Sequence, residues 1–423
     1  MTPGTYCRTS ASRGTNQSGV KLYNERLVLS LIRTQGPLSK GQVASMTGLS
    51  AQAASVIMKQ LESDGLLVRG APQRGKVGQP SVPLMLNPEG AFSIGIKVGR
   101  RSADVAIMDL VGKMRHRASM AYAHPTTDLI LEFIASGVGD LLGEMTGAQT
   151  GRIRGIGIAV PSEMWSWEEE IGAPSHIVEA WRQFDLKTEA ERMFGLPVHL
   201  YNDATAACAS ELAFGEGRKY QDFLYIFFAT LIGGGVVLDG SLYPGRQGYA
   251  GSIGSIPVRP GQPNQPPRRL VQEASIALFE TALRKSGSDA EQIWDRTFDW
   301  FALGDPLDDW IQHASESVAL AVHSAISVID FQQVVIDGIF PSGVRTKMTD
   351  SIRRKVHQKG LEGVAAVEIA EGSIGSDARV LGAASLPLLA DYAQDRDILF
   401  NQDPSSATPT RLTKPIQNTN GAR

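Results

Sequence analysis

Apolar positions change rhythm once along the chain, near Asn87-Pro88-Glu89-Gly90. Before that point they recur at helical spacing in short segments; from Ala91 onward they gather into strand-length runs. The first helical segment, Leu22 to Thr34, presents Leu27, Leu29, Leu31 and Ile32, and Pro37 ends it. Ser39 then suits the N-cap of a helix from Lys40 to Met46. Gly48-Leu49-Ser50 reads as a short turn in which Ser50 caps a third helix, Ala51 to Ser63. In that helix Ala54, Ile57, Met58 and Leu61 fall on the core side, which leaves Gln52, Ser55, Lys59 and Gln60 outward. Next, Gly65 to Arg69 and Val82 to Leu86 flank the loop GAPQRGKVGQPS, the pattern of a hairpin. Three helices and a hairpin in this order predict a winged helix-turn-helix, with the third helix as the one that reads duplex DNA.

The second rhythm predicts strands at Phe92 to Val98, Ala103 to Met108 and Met114 to Ala123, then a helix from Thr127 to Met145. Further strands are expected at Arg154 to Val160 and Val198 to Tyr201, the latter running into a helix from Asp203 to Phe214. A second meander, Phe223 to Thr230 and Gly235 to Asp239, is followed by helices at Arg268 to Arg284, Asp289 to Leu303 and Asp308 to Asp330. The pattern closes with a strand at Gln333 to Ile339, a helix at Arg345 to Lys359, a strand at Ala366 to Ala370 and a helix at Ala378 to Ala393. Two successive units of meander plus helices predict a duplicated α/β lobe with a cleft between the copies.

Length and charge sharpen this layout. A chain of 423 residues exceeds what one core usually organises. The expected division is a disordered start at 1–19, a winged helix at 20–88, a two-lobed body at 89–395 and a disordered tail at 396–423. The first ninety residues carry ten Lys and Arg against four acids; the remaining 333 carry 31 against 40. A basic head on an acidic body is what one expects when one end meets phosphates. Within the head, Lys40, Ser50, Gln52, Ser55 and Lys59 are the candidate DNA contacts on the helices. At the hairpin tip, Arg74 and Lys76 suit phosphates or a narrow minor groove, although a solvated tip is the plain alternative. Cys7 and Cys208 make neither a disulfide framework nor a zinc spacing. The N-terminus lacks an apolar targeting core and no run is long enough to span a bilayer, so a cytoplasmic protein with no membrane partner is expected.

Several segments carry a family pattern: GIGIAVP at 155–161, APSHIVEAW at 173–181, LPVHLYNDA at 196–204, ATLIGGG at 229–235, GYAGSIGSIPV at 248–258 and LGAASL at 381–386. In this order they resemble the ROK family of repressors, open reading frames and sugar kinases, over roughly Leu22 to Ala393. The resemblance is to the repressor branch, and it implies a winged helix ahead of a sugar-kinase-like body of the actin-like ATPase (ribonuclease H-like) fold. Family kinases place an Asp and a Gly-Gly-Thr turn where this chain has Lys97 and Arg100-Arg101-Ser102. Their second phosphate turn, Gly-Thr-Gly-Ile-Gly-Gly-Gly, is here reduced to Gly233-Gly234-Gly235 behind a bulky Leu231. Asn202 and Asp203 match the family's sugar-binding pair, Asp203 being the vestigial kinase base; a local role for Asp203 as helix N-cap is equally open from residue type alone. Ser252 and Ser255 stand where the family has Glu and His. The three zinc-binding cysteines are absent from RPGQPNQPPRRLVQEAS at 259–275, so neither zinc nor another cofactor is expected. Gln79 replaces an Arg often found in the wing of relatives.

These departures predict a homodimeric or tetrameric DNA-binding regulator, with repression the expected sign. It would bind a double-stranded operator and sense a sugar or sugar-derived effector through Asn202, Asp203, Ser252 and Ser255, with no phosphotransfer. Arg100 and Arg101 could hold a phosphorylated ligand, but exposed turn arginines are the plainer expectation. Two alternatives remain open from the residues. One is an active carbohydrate kinase with a DNA-binding head; the other is a ligand-free regulator whose body only dimerises.

Overall fold

A computed structural model describes residues 17–72, 82–161, 174–263, 265–358, 363 and 365–394. Among these the chain forms two compact units, one of residues 17–87 with 392–394 and the other of residues 88–391.

The first unit opens with α1 (Gln17–Gln35), α2 (Lys40–Thr47) and α3 (Ala51–Ser63). The first helix starts earlier than its apolar pattern, because Gln17 to Lys21 carry no periodic signal yet contain nothing that forbids helical backbone. Ser39 accepts from the Gln42 amide while Gln42 Oε1 accepts from Ser39 N at 2.9 Å, a reciprocal cap that starts α2. Gly48 takes φ 72°, left-handed backbone that ends α2 and lets the chain turn into α3. Two short strands, β1 (Leu67–Arg69) and β2 (Leu84–Leu86), pair antiparallel, and Leu38 adds a third rung through Leu84. Val28, Leu29, Ile32, Val43, Ala54, Met58 and Leu61 close the core, while Ile57 is only half-buried. Within the same unit, Gln394 Nε2 donates to Tyr23 Oη at 2.5 Å and Arg26 Nη1 to the Ala393 carbonyl at 3.3 Å.

The second unit has two lobes with one topology used twice. In the first lobe β3 (Phe92–Val98), β4 (Ser102–Asp109) and β5 (Met114–Ala121) form the antiparallel meander, and β6 (Ile153–Val160) and β7 (Val198–Asn202) add in parallel beside β3, giving the order β5-β4-β3-β6-β7. In the second lobe β8 (Phe223–Phe228), β9 (Gly233–Leu238) and β10 (Ser241–Leu242) form the meander, and β13 (Gln333–Gly338) and β14 (Glu368–Glu371) add beside β8 in the order β10-β9-β8-β13-β14. A small ribbon, β11 (Pro257–Arg259) with β12 (Arg268–Arg269), lies between the two sheets in sequence. Both central strands are buried on both faces, as their near-continuous apolar sequences require. Helices α4 (Thr127–Gly143), α5 (Ser175–Gln183) and α6 (Leu186–Phe194) serve the first lobe. The second lobe's core is aromatic: Phe279 stacks on Trp310 at 5.1 Å, with Trp300 and Phe340 beside them.

Two helices join the lobes. Helix α7 (Asp203–Phe214) leaves β7 but lies against β9, and the last helix, α11 (Ala378–Tyr392), leaves β14 but lies on β3 and β6. They approach through residues with little or no side chain. A Cβ at Gly157 would sit 1.8 Å from the Ala383 carbonyl oxygen, and one at Gly382 1.7 Å from that of Ala206.

The region between β12 and β13 departs from the predicted helices. Arg268 to Arg284 divides into β12, a single turn at Val271–Ala274 and α8 (Ile276–Lys285), since the Ser275 hydroxyl accepts from Ile232 N and donates to the Val271 carbonyl. Asp289 to Leu303 is two 3-10 turns, Glu291–Trp294 and Trp300–Leu303. Asp295 accepts from Thr297 and Asp299 from Phe301, local bonds that compete with helix propagation. The following helix α9 (Asp305–Ile326) starts at Gly304, and α10 (Ser342–Gln358) follows β13.

Candidate functional site

In the first unit, the outer face of α3 is set by its buried face. Ala54, Met58 and Leu61 are buried, so the residues about half a turn away must face outward. Gln52, Lys59 and Gln60 are exposed and Ser55 is half-buried. Ser50 Oγ accepts from Ala53 N at 3.1 Å, so its side chain is occupied in capping the helix. Lys40 is exposed at the start of α2. The same face carries Val56, 62% exposed, which was not singled out from sequence because an apolar residue there reads as core. On a helix that enters a major groove, such a side chain matches the thymine methyl group. Arg74, Lys76 and Gln79 lie outside the described residues.

The second unit holds a cleft of about 750 Å³ between its lobes. Lys97, on β3, is 5% exposed and lies directly opposite Asp104 on β4, with Nζ 3.2 Å from Asp104 Oδ2 and bonds to the Ser102 carbonyl and hydroxyl at 2.9 and 2.6 Å. Burial and then the nearby Arg379 lower the Lys97 ammonium to about 8. For Asp104, burial acts to raise the carboxyl, but Lys97, Ser119 and Arg117 outweigh it and hold it at about 2. The lysine is thus not a loose cation facing the cleft. It is one half of a buried pair that also uses up the nearest carboxylate.

Arg101 is not the exposed turn residue that sequence led one to expect. From the first lobe it reaches the second, with Nη2 2.5 Å from Glu280, Nη1 2.6 Å from Glu291 and its guanidinium 4.8 Å from the Trp294 ring centroid. Arg117 makes a second crossing to Asp377 at 2.8 Å, an acid it shares with Arg296 at 3.1 Å. Arg100 turns back instead, donating to the Ala123 carbonyl at 2.5 Å. In the second lobe Asp337, fully buried, accepts from Tyr225 at 2.9 Å and from Arg345 at 3.1 Å.

Asn202 and Asp203 sit where β7 becomes α7. The cap is Asn202, not Asp203: its Oδ1 accepts from Ala204 N at 3.0 Å and Thr205 N at 3.4 Å, because Asn202 holds extended backbone while Asp203 is already helical. The Asp203 carboxylate is left to side-chain chemistry, 3.3 Å from Arg379 Nη1. Gly233 and Gly234 begin β9, and packing accounts for both. A Cβ would come within 2.8 Å of Ala204 Cβ at Gly233 and within 2.6 Å of the Tyr225 carbonyl at Gly234. Leu231 packs against the first lobe's core. Ser252 and Ser255 lie exposed on a 3-10 turn that reaches β9 through Gly251, whose Cβ would meet Gly234 and Gly235.

The segment at 259–275 is held by charge. Glu273, 2% exposed, is 3.1 Å from Arg259 Nε and 2.8 Å from His313 Nε2, and it also pairs with Arg268. This donor set offers one carboxylate and one imidazole with two competing guanidiniums, which does not fit zinc. Among the described residues no group of three or more His, Cys, Asp and Glu is placed to hold a metal ion. No helix among them is long and apolar enough to cross a membrane.

A model of the ROK family matches residues 93–389, and a model of the MarR family matches residues 22–76. The xylose repressor of Bacillus subtilis (strain 168) is 28% identical over 243 residues, covering 56% of this chain and 61% of its own length. The DNA-binding transcriptional dual regulator NagC of Escherichia coli (strain K12) is 25% identical over 262 residues, 60% of each chain. The chain therefore spans less than two thirds of the length of these relatives. Among solved structures, a ROK family transcriptional regulator homologous to the E. coli MLC protein superposes with a TM-score of 0.64 at 21% identity, over 90% of this chain and 99% of the other. A ROK hexokinase from Thermus thermophilus gives 0.52 at 23% identity, over 69% and 97%. At such identities the likeness is one of fold, a winged helix followed by the actin-like kinase body. With the family model covering well over half of its length, the chain belongs to the ROK family.

Proposed function

We propose that this protein is a DNA-binding transcription regulator, a repressor, whose body senses a sugar or sugar-derived molecule and performs no phosphotransfer. The observation that carries the proposal is α3, with its capped start, buried inner face and outer face of Gln52, Val56, Lys59 and Gln60. Such a face supplies donors, acceptors and a methyl contact to base edges, and a cation to phosphate. The relatives, one named a xylose repressor and the other a DNA-binding transcriptional dual regulator, support a regulatory reading. In the body, Lys97, which the family resemblance aligns with a kinase's acidic residue, is engaged with Asp104, which supports a reading without phosphoryl transfer. Asn202, Asp203, Ser252 and Ser255 are the proposed effector contacts, and a homodimer on a two-fold operator is the proposed working form, with half-sites about 34 Å apart or a multiple of that. Release of DNA then requires a ligand that binds one conformation better than the other.

Fluorescence anisotropy with the duplex upstream of its own coding sequence tests the reading. Preference for that duplex over random DNA, with affinity falling steeply with salt, is expected. Lys59→Ala should weaken binding to all sequences alike and lower the salt slope by about one, whereas Gln52→Ala should cost about 1–3 kcal/mol at one base position only. Equal affinity for random duplex would remove the proposal. The retained Asp203 favours a second reading, an active sugar kinase with a DNA-binding head, which predicts sugar-dependent ADP release.

A further inference from the structure

Arg379, in the first turn of α11, is the least satisfied cation of the interlobe cleft. Its side chain is 14% exposed, and its Nη1 lies 3.3 Å from Asp203 Oδ2. Its Nε is buried with no hydrogen-bond partner, and the guanidinium stands 5.7 Å over the Phe227 ring. A guanidinium offers five donors, and burying them unpaired is costly. The other cleft cations have closer acidic partners: Lys97 has Asp104, Arg101 has Glu280 and Glu291 although its own Nε is also buried without a partner, Arg345 has Asp337 and Glu371, and Arg296 has Asp377. Arg100, which meets a backbone carbonyl, lines the same space. Six cationic side chains line the cleft against two carboxylates, Asp104 and Asp295. Its volume lies in the range of about 300–1,000 Å³ that holds a small molecule.

We propose that this cleft binds the phosphate group of a phosphorylated small molecule without a metal ion, with Arg379 as its principal contact and Arg100 as a second. Guanidinium groups match phosphate oxygens in a fork and need no bridging cation. Burial lowers Lys97 and Arg100 first and the neighbouring guanidiniums, Arg379 and Arg101 respectively, add to it; an entering anion offsets that second contribution. Because Arg379 also touches Asp203, a ligand bearing hydroxyls for Asp203 and a phosphate for Arg379 would engage both, and a phosphorylated sugar has that form. This choice of ligand rests on the sugar-sensing reading above; the phosphate site itself does not.

The test is thermal-shift and calorimetric titration of the full chain in EDTA with inorganic pyrophosphate, glucose, glucose 6-phosphate and, separately, ATP with Mg²⁺. Pyrophosphate is expected to raise the melting temperature by linkage. Arg379→Ala should weaken its binding by about tenfold or more, in line with loss of a charged hydrogen bond. Arg100→Ala should weaken it by a smaller factor and serves if the Arg379 variant does not fold, while Lys113→Ala, an exposed cation on the β4–β5 turn, should leave it unchanged. Pyrophosphate binding lost in Arg379→Ala, with neither sugar form acting, would keep the phosphate site and sink sugar sensing. Glucose binding with no response to either phosphate probe would do the reverse. Pyrophosphate binding indifferent to Arg379 and Arg100, or stabilisation by ATP with Mg²⁺ alone, would overturn the proposal.

Discussion

Asp104 shows how one residue can be decided by its neighbours across a sheet. On β4 it faces Lys97 of β3 and also accepts from Arg117 of β5 at 2.7 Å and from the Ser119 hydroxyl at 2.6 Å. Its carboxyl titrates near 2 in the fold against 3.8 when unperturbed, so the folded state holds the anion more tightly than the unfolded one does. Stability from this residue is therefore complete above about pH 4 and is lost as pH falls toward 2. Urea melts of the wild type and of Asp104→Asn at pH 5 and pH 2.5 should show the wild type losing about 1–2 kcal/mol more than the variant. Parallel acid limbs would mean that Asp104 is not held in this way. Lys97 was legible in the sequence as a cation at an acid's position. Its partners were not, because they follow from strand register. Val56 was missed for the opposite reason, since only the packed helix shows which side of α3 faces out.

Where elements meet, the small residues carry the argument. The GIGIAVP run reads as a buried strand from sequence, yet the reason for its second glycine is the backbone of α11. Gly157→Ala would drive a methyl group into the Ala383 carbonyl, and neither backbone can yield without shifting a whole element. A loss of about 3 kcal/mol or more is expected by chemical denaturation. Gly139 is the contrast: it lies exposed within α4 with nothing within 4 Å of a new Cβ. Gly139→Ala should stabilise by about 0.5–1 kcal/mol, through helix propensity and a less free unfolded chain. If both variants shifted stability in the same direction, the packing of α11 on β6 would be in doubt. The mispredicted helices between residues 268 and 303 belong to this scale too. Their apolar residues have helical spacing, but Ser275, Asp295 and Asp299 divert the backbone with local hydrogen bonds, and the aromatic core accepts side chains from short turns as readily as from a helix.

Across the whole body, charged side chains bridge the two lobes. Arg101 with Glu280 and Glu291, and Arg117 with Asp377, hold the lobes together from either side of the cleft. A coupled ADP-release assay over a panel of sugars, with ATP and Mg²⁺, should show no sugar-dependent turnover; robust turnover abolished by Asp203→Asn would establish the kinase reading instead. The sequence by itself determined the class of each part: the helix-turn-helix with its caps, and the doubled meander. These are local facts, set by spacing and residue type. Only the tertiary structure decided that Asn202 rather than Asp203 caps α7, that Gly233 and Gly234 serve packing, that Arg101 spans the cleft and that Arg379 meets Asp203. Each of those depends on residues far apart in the chain being brought within a few ångströms, and the spacing of hydrophobic and polar positions carries no record of that distance.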